Sequence, residues 1–417
     1  MSREIAVLEK LEKELSLKEL QIKSLLTITQ AINDNVSADG LFNMYRSFLS
    51  WEMGISKMGL FIPSDDDRTT WSCVSQINLE NKKINHEKVV DNIMKFSRLH
   101  TIKPEDHECL WDFDIVIPVF HKEKPIAYSL IGGIKSKDDL YNKIQFITTI
   151  TNIIAVAIEN KKLFKQQIEQ ERLQKEIELA QNVQQMLIPD NLPKNDKYEL
   201  SSIYQPHFNI GGDYLDFIDF KNGRFIFCIA DISGKGVAAA LLMANFQAMI
   251  QSLIYQYRDL ETFIFALNQT VLRVTKSDKF ITFFIGEIDI NAKTLKYINA
   301  GHYPPVLYSN GQIKRLTEGC TVIGIFDHLP SILEETIELD GETLIMCFTD
   351  GLADLKNEKN EFFEDEGIEN FVLKNGTRDA ETFNDELLMT IEDYKGSEDF
   401  PDDIAVLTRK IFQDLVL

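Results

Sequence analysis

Residues 160–188, NKKLFKQQIEQERLQKEIELAQNVQQMLI, hold no glycine and no proline and are dominated by Gln, Glu and Lys. Such a run reads as one long helix, and a polar helix of this length cannot bury itself in a core. Leu173, Ile177, Ala180 and Leu187 keep a heptad phase with Gln184 at the missing position, which predicts a coiled-coil connector over 161–189. Pro189 and Pro193 end it. The connector divides 417 residues into two patterned stretches, in line with the two or three domains expected at roughly 100–200 residues each.

The first stretch opens on a second long helix. Leu8, Leu11, Leu15, Ile22, Leu25 and Ile32 alternate threes and fours, with Lys18 and Thr29 at the two skipped positions. The segment 1–34 therefore offers either a short coiled coil, giving a homodimer through helices, or a single helix packed on its own domain. Residues 35–160 alternate strand-like runs with helical ones. KMGLFI (57–62), WSCVSQI (71–77), FDIVIPVF (113–120) and AYSLIGGI (127–134) read as strands, with HKEKP a hairpin connection. Leu140–Asn160 reads as the closing helix. The pattern is that of a small α+β domain. Its closing phrase, SKDDLYNKIQFITTITNIIAVAIENKKLF, resembles the last helix of a GAF domain, and the likeness implies a sensor for an unknown small-molecule or protein signal. No residues identify a nucleotide pocket. Cys73 and Cys109 weigh as ordinary thiols rather than chromophore attachment points.

Charge narrows the function classes. Lys plus Arg number 44 and Asp plus Glu 65, a net of −21, which argues against nucleic acid and anionic membrane surfaces as partners. Five scattered cysteines without a C-x-x-C pair suit a reducing compartment. The start is charged throughout. The charge-free stretch Val237–Tyr257 is interrupted by Asn245, Gln247, Gln251, Ser252 and Gln256, so it reads as a core helix rather than a membrane span. The expected location is cytoplasmic.

The second stretch, 190–417, places aspartates at strand ends. Asp213 lies in IGGDYLDF, Asp231 follows the apolar run FIFCIA, Asp350 follows TLIMCFT, and Asp402 and Asp403 precede IAVL. Carboxylates set this way project from a rigid sheet toward one rim, and the neighbouring glycines allow close approach. Such a cluster without basic partners calls for divalent cations, and hard oxygen donors without His or Cys favour Mg²⁺ or Mn²⁺. Singly, each fragment is an ordinary turn.

Jointly and in order, ELAQNVQQMLIP, GGDYLDF, ADISGKGVAAALLMA, NAGHYPPVLY, FTDGLAD and DDIAVL resemble the PPM-type metal-dependent phosphatases of the bacterial SpoIIE/RsbU branch. The likeness covers about residues 170–410. It implies a β-sandwich flanked by helices and hydrolysis of a phosphoserine or phosphothreonine on a signalling partner, of which an anti-sigma-factor antagonist is one kind. It implies Asp213, Asp231, Asp350 and Asp402 as catalytic metal ligands, with the Ile232 carbonyl as a further ligand to two Mn²⁺ or Mg²⁺ ions. Such ions stand roughly 3.5–4 Å apart and activate a water for in-line attack. Asp403 matches the second acid of the family's pair, and Asp216 an acid in a supporting role. Lys235 reads as a turn lysine and His302 as a loop-forming residue before a general acid. Lys356–Phe371 matches a variable flap where specificity could reside. By the same resemblance the helix 178–189 could act as a switch.

Two other classes compete. GGDYLDF superficially matches the GGDEF cyclase signature, but Tyr214 stands where that family needs an acid. A non-catalytic GAF and coiled-coil scaffold with a degenerate phosphatase domain would have lost metal aspartates, and all four are present.

Overall fold

A computed structural model of the chain describes residues 2–64, 70–79, 86–134, 140–189, 191–206, 210–257 and 259–412. Residues 136–139 of the GAF-like closing phrase, and Asp190 after the connector, lie outside them. The chain forms two compact units, Met1–Arg172 and Leu173–Leu417.

The N-terminal unit runs α1 (Ser2–Asn33), α2 (Ala38–Ser47), β1 (Lys57–Pro63), β2 (Trp71–Ile77), α3 (His86–Ile93), β3 (His100–Thr101), β4 (Ile115–His121), β5 (Lys124–Gly132) and α4 (Leu140–Gln185). Its sheet has the order β2-β1-β5-β4-β3, antiparallel throughout. The HKEKP hairpin is the β4–β5 turn, closed by the His121–Lys124 pair with Lys122 at φ 55°. One sheet face packs Met58, Leu60, Ile117 and Ile131 against α2 and the start of α4, through Tyr45, Ile147, Ile150 and Ile154. There the buried Tyr45 hydroxyl lies 3.0 Å from Ser129 Oγ and 2.6 Å from Thr151 Oγ1, so three polar groups satisfy one another in an apolar layer. The other face carries α3 on Phe61, Val116, Tyr128 and Leu130.

Two helix readings change. The closing helix and the connector are one helix of 46 residues, because nothing between Leu140 and Gln185 breaks it. Among the described side chains of α1, Gln21, Ser24, Ile28 and Ala31 are buried, with the seam residues Leu25 and Ile32 partly buried beside them. Ser24 reaches across to Glu52 at 2.7 Å. The seam residues Leu8, Leu11, Leu15 and Ile22 remain exposed.

The C-terminal unit begins with the last part of α4. It continues β6 (Tyr198–Gln205), β7 (Tyr214–Asp219), β8 (Arg224–Ile232), α5 (Val237–Leu253), α6 (Leu260–Thr275), β9 (Ile281–Asp289), β10 (Thr294–Ala300), β11 (Val306–Ser309), β12 (Gln312–Arg315), β13 (Gly319–Cys320), β14 (Glu335–Glu338) and β15 (Thr343–Phe348). It closes with α7 (Asp350–Ala353), α8 (Glu364–Asn375), α9 (Ala380–Lys395) and β16 (Ile404–Ile411). One sheet runs β13-β10-β9-β8-β7, with β14 also on β10, and the other runs β12-β11-β15-β16-β6.

The uninterrupted apolar strands follow from burial on both faces. In β8, Phe225, Phe227 and Ile229 point between the sheets, while Ile226, Cys228 and Ala230 meet α5 and α6. In β15, Ile345 and Cys347 face the sheet gap, and Leu344, Met346 and Phe348 face α8 and α9. The layers are therefore helices, sheet, sheet, helices. The charge-free stretch forms α5, and among the described residues no helix is long and apolar enough to cross a membrane.

One residue breaks the apolar rule of the sheet gap. Arg409 of β16 is fully buried, and among the described residues none of its guanidinium nitrogens has a hydrogen-bond partner. Its charge rests on rings, with Phe225 at 4.1 Å, Tyr198 at 5.7 Å and Phe227 at 5.8 Å. Ring faces recover only part of what a buried charge loses in leaving water. Arg409→Met should therefore raise the unfolding free energy of this unit by on the order of 1–3 kcal/mol. A denaturant titration of the full chain would measure it.

Candidate active site

Strand parity decides which aspartates meet. Asp213 and Asp231 continue the phase of Leu215 and of Phe227 and Ile229, the residues pointing between the sheets. Thr349 continues the same phase from Ile345 and Cys347 on the facing sheet. Its hydroxyl donates to Asp213 Oδ2 at 2.7 Å and accepts from the Ala405 N–H at 3.0 Å. A single side chain thus joins β15, β16 and the loop before β7. Asp350 follows as the first residue of α7. Asp403 comes from the turn before β16 and accepts the Gly212 N–H at 2.7 Å.

Two glycines make this approach possible. A Cβ on Gly351 would collide with the Asp403 carbonyl oxygen, and one on Gly212 would stand 3.1 Å from the Ile232 carbonyl oxygen. Any side chain at Gly351 would push the two loops apart.

The electrostatics register the convergence. Burial, then the charge of Asp231, hold Asp213 well above the usual carboxylate range, with Asp403 and Asp350 adding to it. Burial and the neighbouring charges of Asp350, Asp402 and Asp403 push Asp231 up to about 7. Asp350 is raised by burial, then by Asp402 and Asp354. Five acids from four chain segments therefore share one rim. Among the described residues they do not close into a ready-made cage of three or more ligands, as like charges without a counter-ion stay apart. Lys235 acts on both Asp231 and Asp350, and its Nζ lies 2.7 Å from Asp402 Oδ2. It is a half-exposed turn lysine, as read, and it is also ion-paired.

Three other expectations can be placed. Asp216 has the opposite parity from Asp213 and turns away from the rim. It accepts Tyr214 Oη at 2.5 Å, Gln251 Nε2 of α5 at 2.6 Å and the Phe217 N–H at 2.7 Å, so it fastens α5 to β7. His302 is buried, and burial pushes its pKa down to about 4. It is a neutral ring bonded to Thr282 Oγ1 at 2.9 Å, and its backbone N–H donates to Asn299 Oδ1 at 2.8 Å. That geometry fits loop formation rather than proton delivery. In 356–371, Phe363, Ile368 and Phe371 are buried against β11 and β15. The second half of the expected flap is thus a core helix, α8, and the exposed Phe362 with Lys356 at 4.5 Å marks the free part.

Residues 221–412 match the family model "Stage II sporulation protein E (SpoIIE)". Phosphoserine phosphatase RsbU of Bacillus subtilis is 26% identical over 325 residues, covering 76% of this chain and 91% of RsbU. The C-terminal unit therefore carries the likeness to SpoIIE-type phosphatase domains. Phosphoserine phosphatase RsbP of the same organism is 25% identical over 186 residues, which is 43% of this chain and 45% of RsbP. The SiaA-PP2C domain of Pseudomonas aeruginosa shares the sandwich fold at a TM-score of 0.52 and 18% identity, over 59% of this chain and 98% of that domain.

The phosphatase domain has a support that the sequence reading passed over. Gln184, near the end of α4, is buried, and its side-chain amide donates to the Gly211 carbonyl at 2.6 Å and accepts the Gly211 N–H at 3.2 Å. Leu187 and Ile188 then enter the two cores of the sandwich. The signal was a polar residue at a seam position, where the heptad asked for an apolar one. Gln184→Ala should free the Gly211–Asp213 loop and speed amide exchange there roughly tenfold, from a net loss of about 1–2 kcal/mol of buried hydrogen bonding. Hydrogen–deuterium exchange of the full chain would read it.

Proposed function

We propose that this chain is a metal-dependent protein serine/threonine phosphatase acting on a phosphorylated signalling partner. The observation that carries the reading is the gathering of Asp213, Asp231, Asp350, Asp402 and Asp403 on one rim of the sandwich. Burial and mutual repulsion hold several of these acids above their ordinary range, and divalent cations relieve that repulsion. The donors are carboxylates plus a backbone carbonyl, the hard-oxygen set that Mg²⁺ and Mn²⁺ prefer. Asp213, Asp231, Asp350, Asp402 and the Ile232 carbonyl would hold two such ions. When bound, they supply Lewis acidity that lowers the pKa of water and offsets charge on a phosphoryl group.

The protein's own part is orientation. Thr349 fixes the Asp213 carboxylate, and Asp403 ties the Gly211–Asp213 loop to the strand pair that carries it. Gly351 lets α7 sit against the Asp402–Asp403 turn. The relatives RsbU and RsbP are named phosphoserine phosphatases, which supports a phosphoserine substrate, an anti-sigma-factor antagonist being one candidate. Residues 35–160 would be the GAF-like sensor, with α1 and the polar stretch of α4 supplying the helices of a cytoplasmic homodimer. The exposed seam of α1 supports that part.

Asp231→Asn and Asp350→Asn should each lower Mn²⁺-dependent phosphate release from a phosphoserine protein by at least about a hundredfold, with circular dichroism unchanged. Release persisting in both variants would sink the reading. A chain beginning near Lys194 lacks the Gln184 clamp, so it should work more slowly than the full chain. Equal rates from a folded shorter chain would remove the regulatory role of the helix.

A further inference from the structure

Lys235 is the basic side chain nearest the acidic rim, and its position has a consequence for how that rim is filled. The sequence places it in Ser233-Gly-Lys-Gly236, between the Asp231 strand and α5. Its ammonium does not lie along the turn but spans to the opposite loop, 2.7 Å from Asp402 Oδ2. Asp402 comes from the turn before β16 in the facing sheet, so the ion pair bridges the two sheets at the rim. A second lysine, Lys279, stands beside the same turn, its Nζ 3.1 Å from where a Cβ on Gly234 would be. Among the described residues Lys279 has no ion pair.

We infer that Lys235 is a resident counter-cation of the rim, which holds Asp402 in the metal-free protein and is displaced from it when a divalent ion loads. This rests on the metal-binding reading above. A carboxylate oxygen at 2.7 Å from an ammonium is engaged by that charge, and an incoming Mn²⁺ or Mg²⁺ competes for the same electrons. The monovalent charge also repels the divalent one across the few ångströms of the rim. Lys235 therefore weakens metal affinity while it stabilises the empty site. Removing its charge should tighten metal binding.

The test uses the full chain stripped of metal and titrated with Mn²⁺, free Mn²⁺ being followed by electron paramagnetic resonance. Lys235→Met and Lys235→Gln should bind Mn²⁺ roughly tenfold more tightly than wild type at low ionic strength, a gap that narrows as salt screens it. Lys235→Arg keeps the charge and should stay near wild type. Lys279→Met, which removes a nearby charge that is not ion-paired, should tighten binding by clearly less. Thermal melts should mirror this, with Mn²⁺ raising the midpoint of Lys235→Met further than that of wild type. Mn²⁺ affinity in Lys235→Met or Lys235→Gln equal to or weaker than wild type would overturn the inference. An equal effect from Lys279→Met would overturn it too, by reducing Lys235 to a diffuse field. If the Lys235 variants fail to tighten binding while wild type binds Mn²⁺ and Asp231→Asn does not, only the role of Lys235 has failed. If wild type itself binds no Mn²⁺, the metal-binding reading falls and this inference with it.

Discussion

The Thr349 hydroxyl, donating to Asp213 and accepting from Ala405, is the contact on which the geometry of the rim depends. It lies in a layer otherwise filled by Leu215, Ile229, Cys347 and Leu407, where water cannot substitute for a lost partner. A hydrogen bond to a charged acceptor in such a setting is worth more than the ordinary 0.5–1.5 kcal/mol or so, and leaving the carboxylate bare costs more still. The bond also fixes where the two sheets stand relative to each other at that end. Asp231, Asp350 and the Asp402–Asp403 pair take their places from strands whose separation this contact sets.

Much of this was legible from residue order because of period two. FIFCIA and TLIMCFT read as strands buried on both faces, and aspartates immediately after them had to fall at a sheet end. The same rule separates Asp213 from Asp216: three residues apart along a strand, they cannot share a face. The family resemblance had given Asp216 only a supporting role, and the backbone turns it to the other face. His302 shows a different limit. Its reading as a loop former needed only the Gly- and Pro-rich surroundings, but its burial depends on packing that only the three-dimensional fold decides. Lys235 is half exposed, but its ion pair was hidden because the partner, Asp402, is 167 positions away in sequence number, beyond the reach of local patterning.

In the helices the pattern was right in kind and wrong in detail. Nothing in 140–185 stops a helix, yet the change from apolar to polar composition near residue 160 suggested a boundary where the backbone has none. In α1 the buried stripe runs beside the heptad seam, whose Leu25 and Ile32 pack against the same core. Ser24 is buried although it belongs to no apolar periodicity, because it has Glu52 as a partner. Polar burial of this kind is invisible to hydrophobic counting, as is the Gln184 clamp on Gly211.

The strand order of the second sheet bears on how the protein is made. β16 lies between β15 and β6, although β6 is the first strand of its unit in the chain and β16 the last. During synthesis β6 must wait without its sheet neighbour while some two hundred residues are added. Non-local pairing of this kind is slow to form and leaves an open edge meanwhile. Asp402 and Asp403 emerge only with that strand, so a ribosome-bound fragment lacking it has neither a closed sandwich nor a full set of acids. Assembly of the rim is thereby tied to completion of the fold.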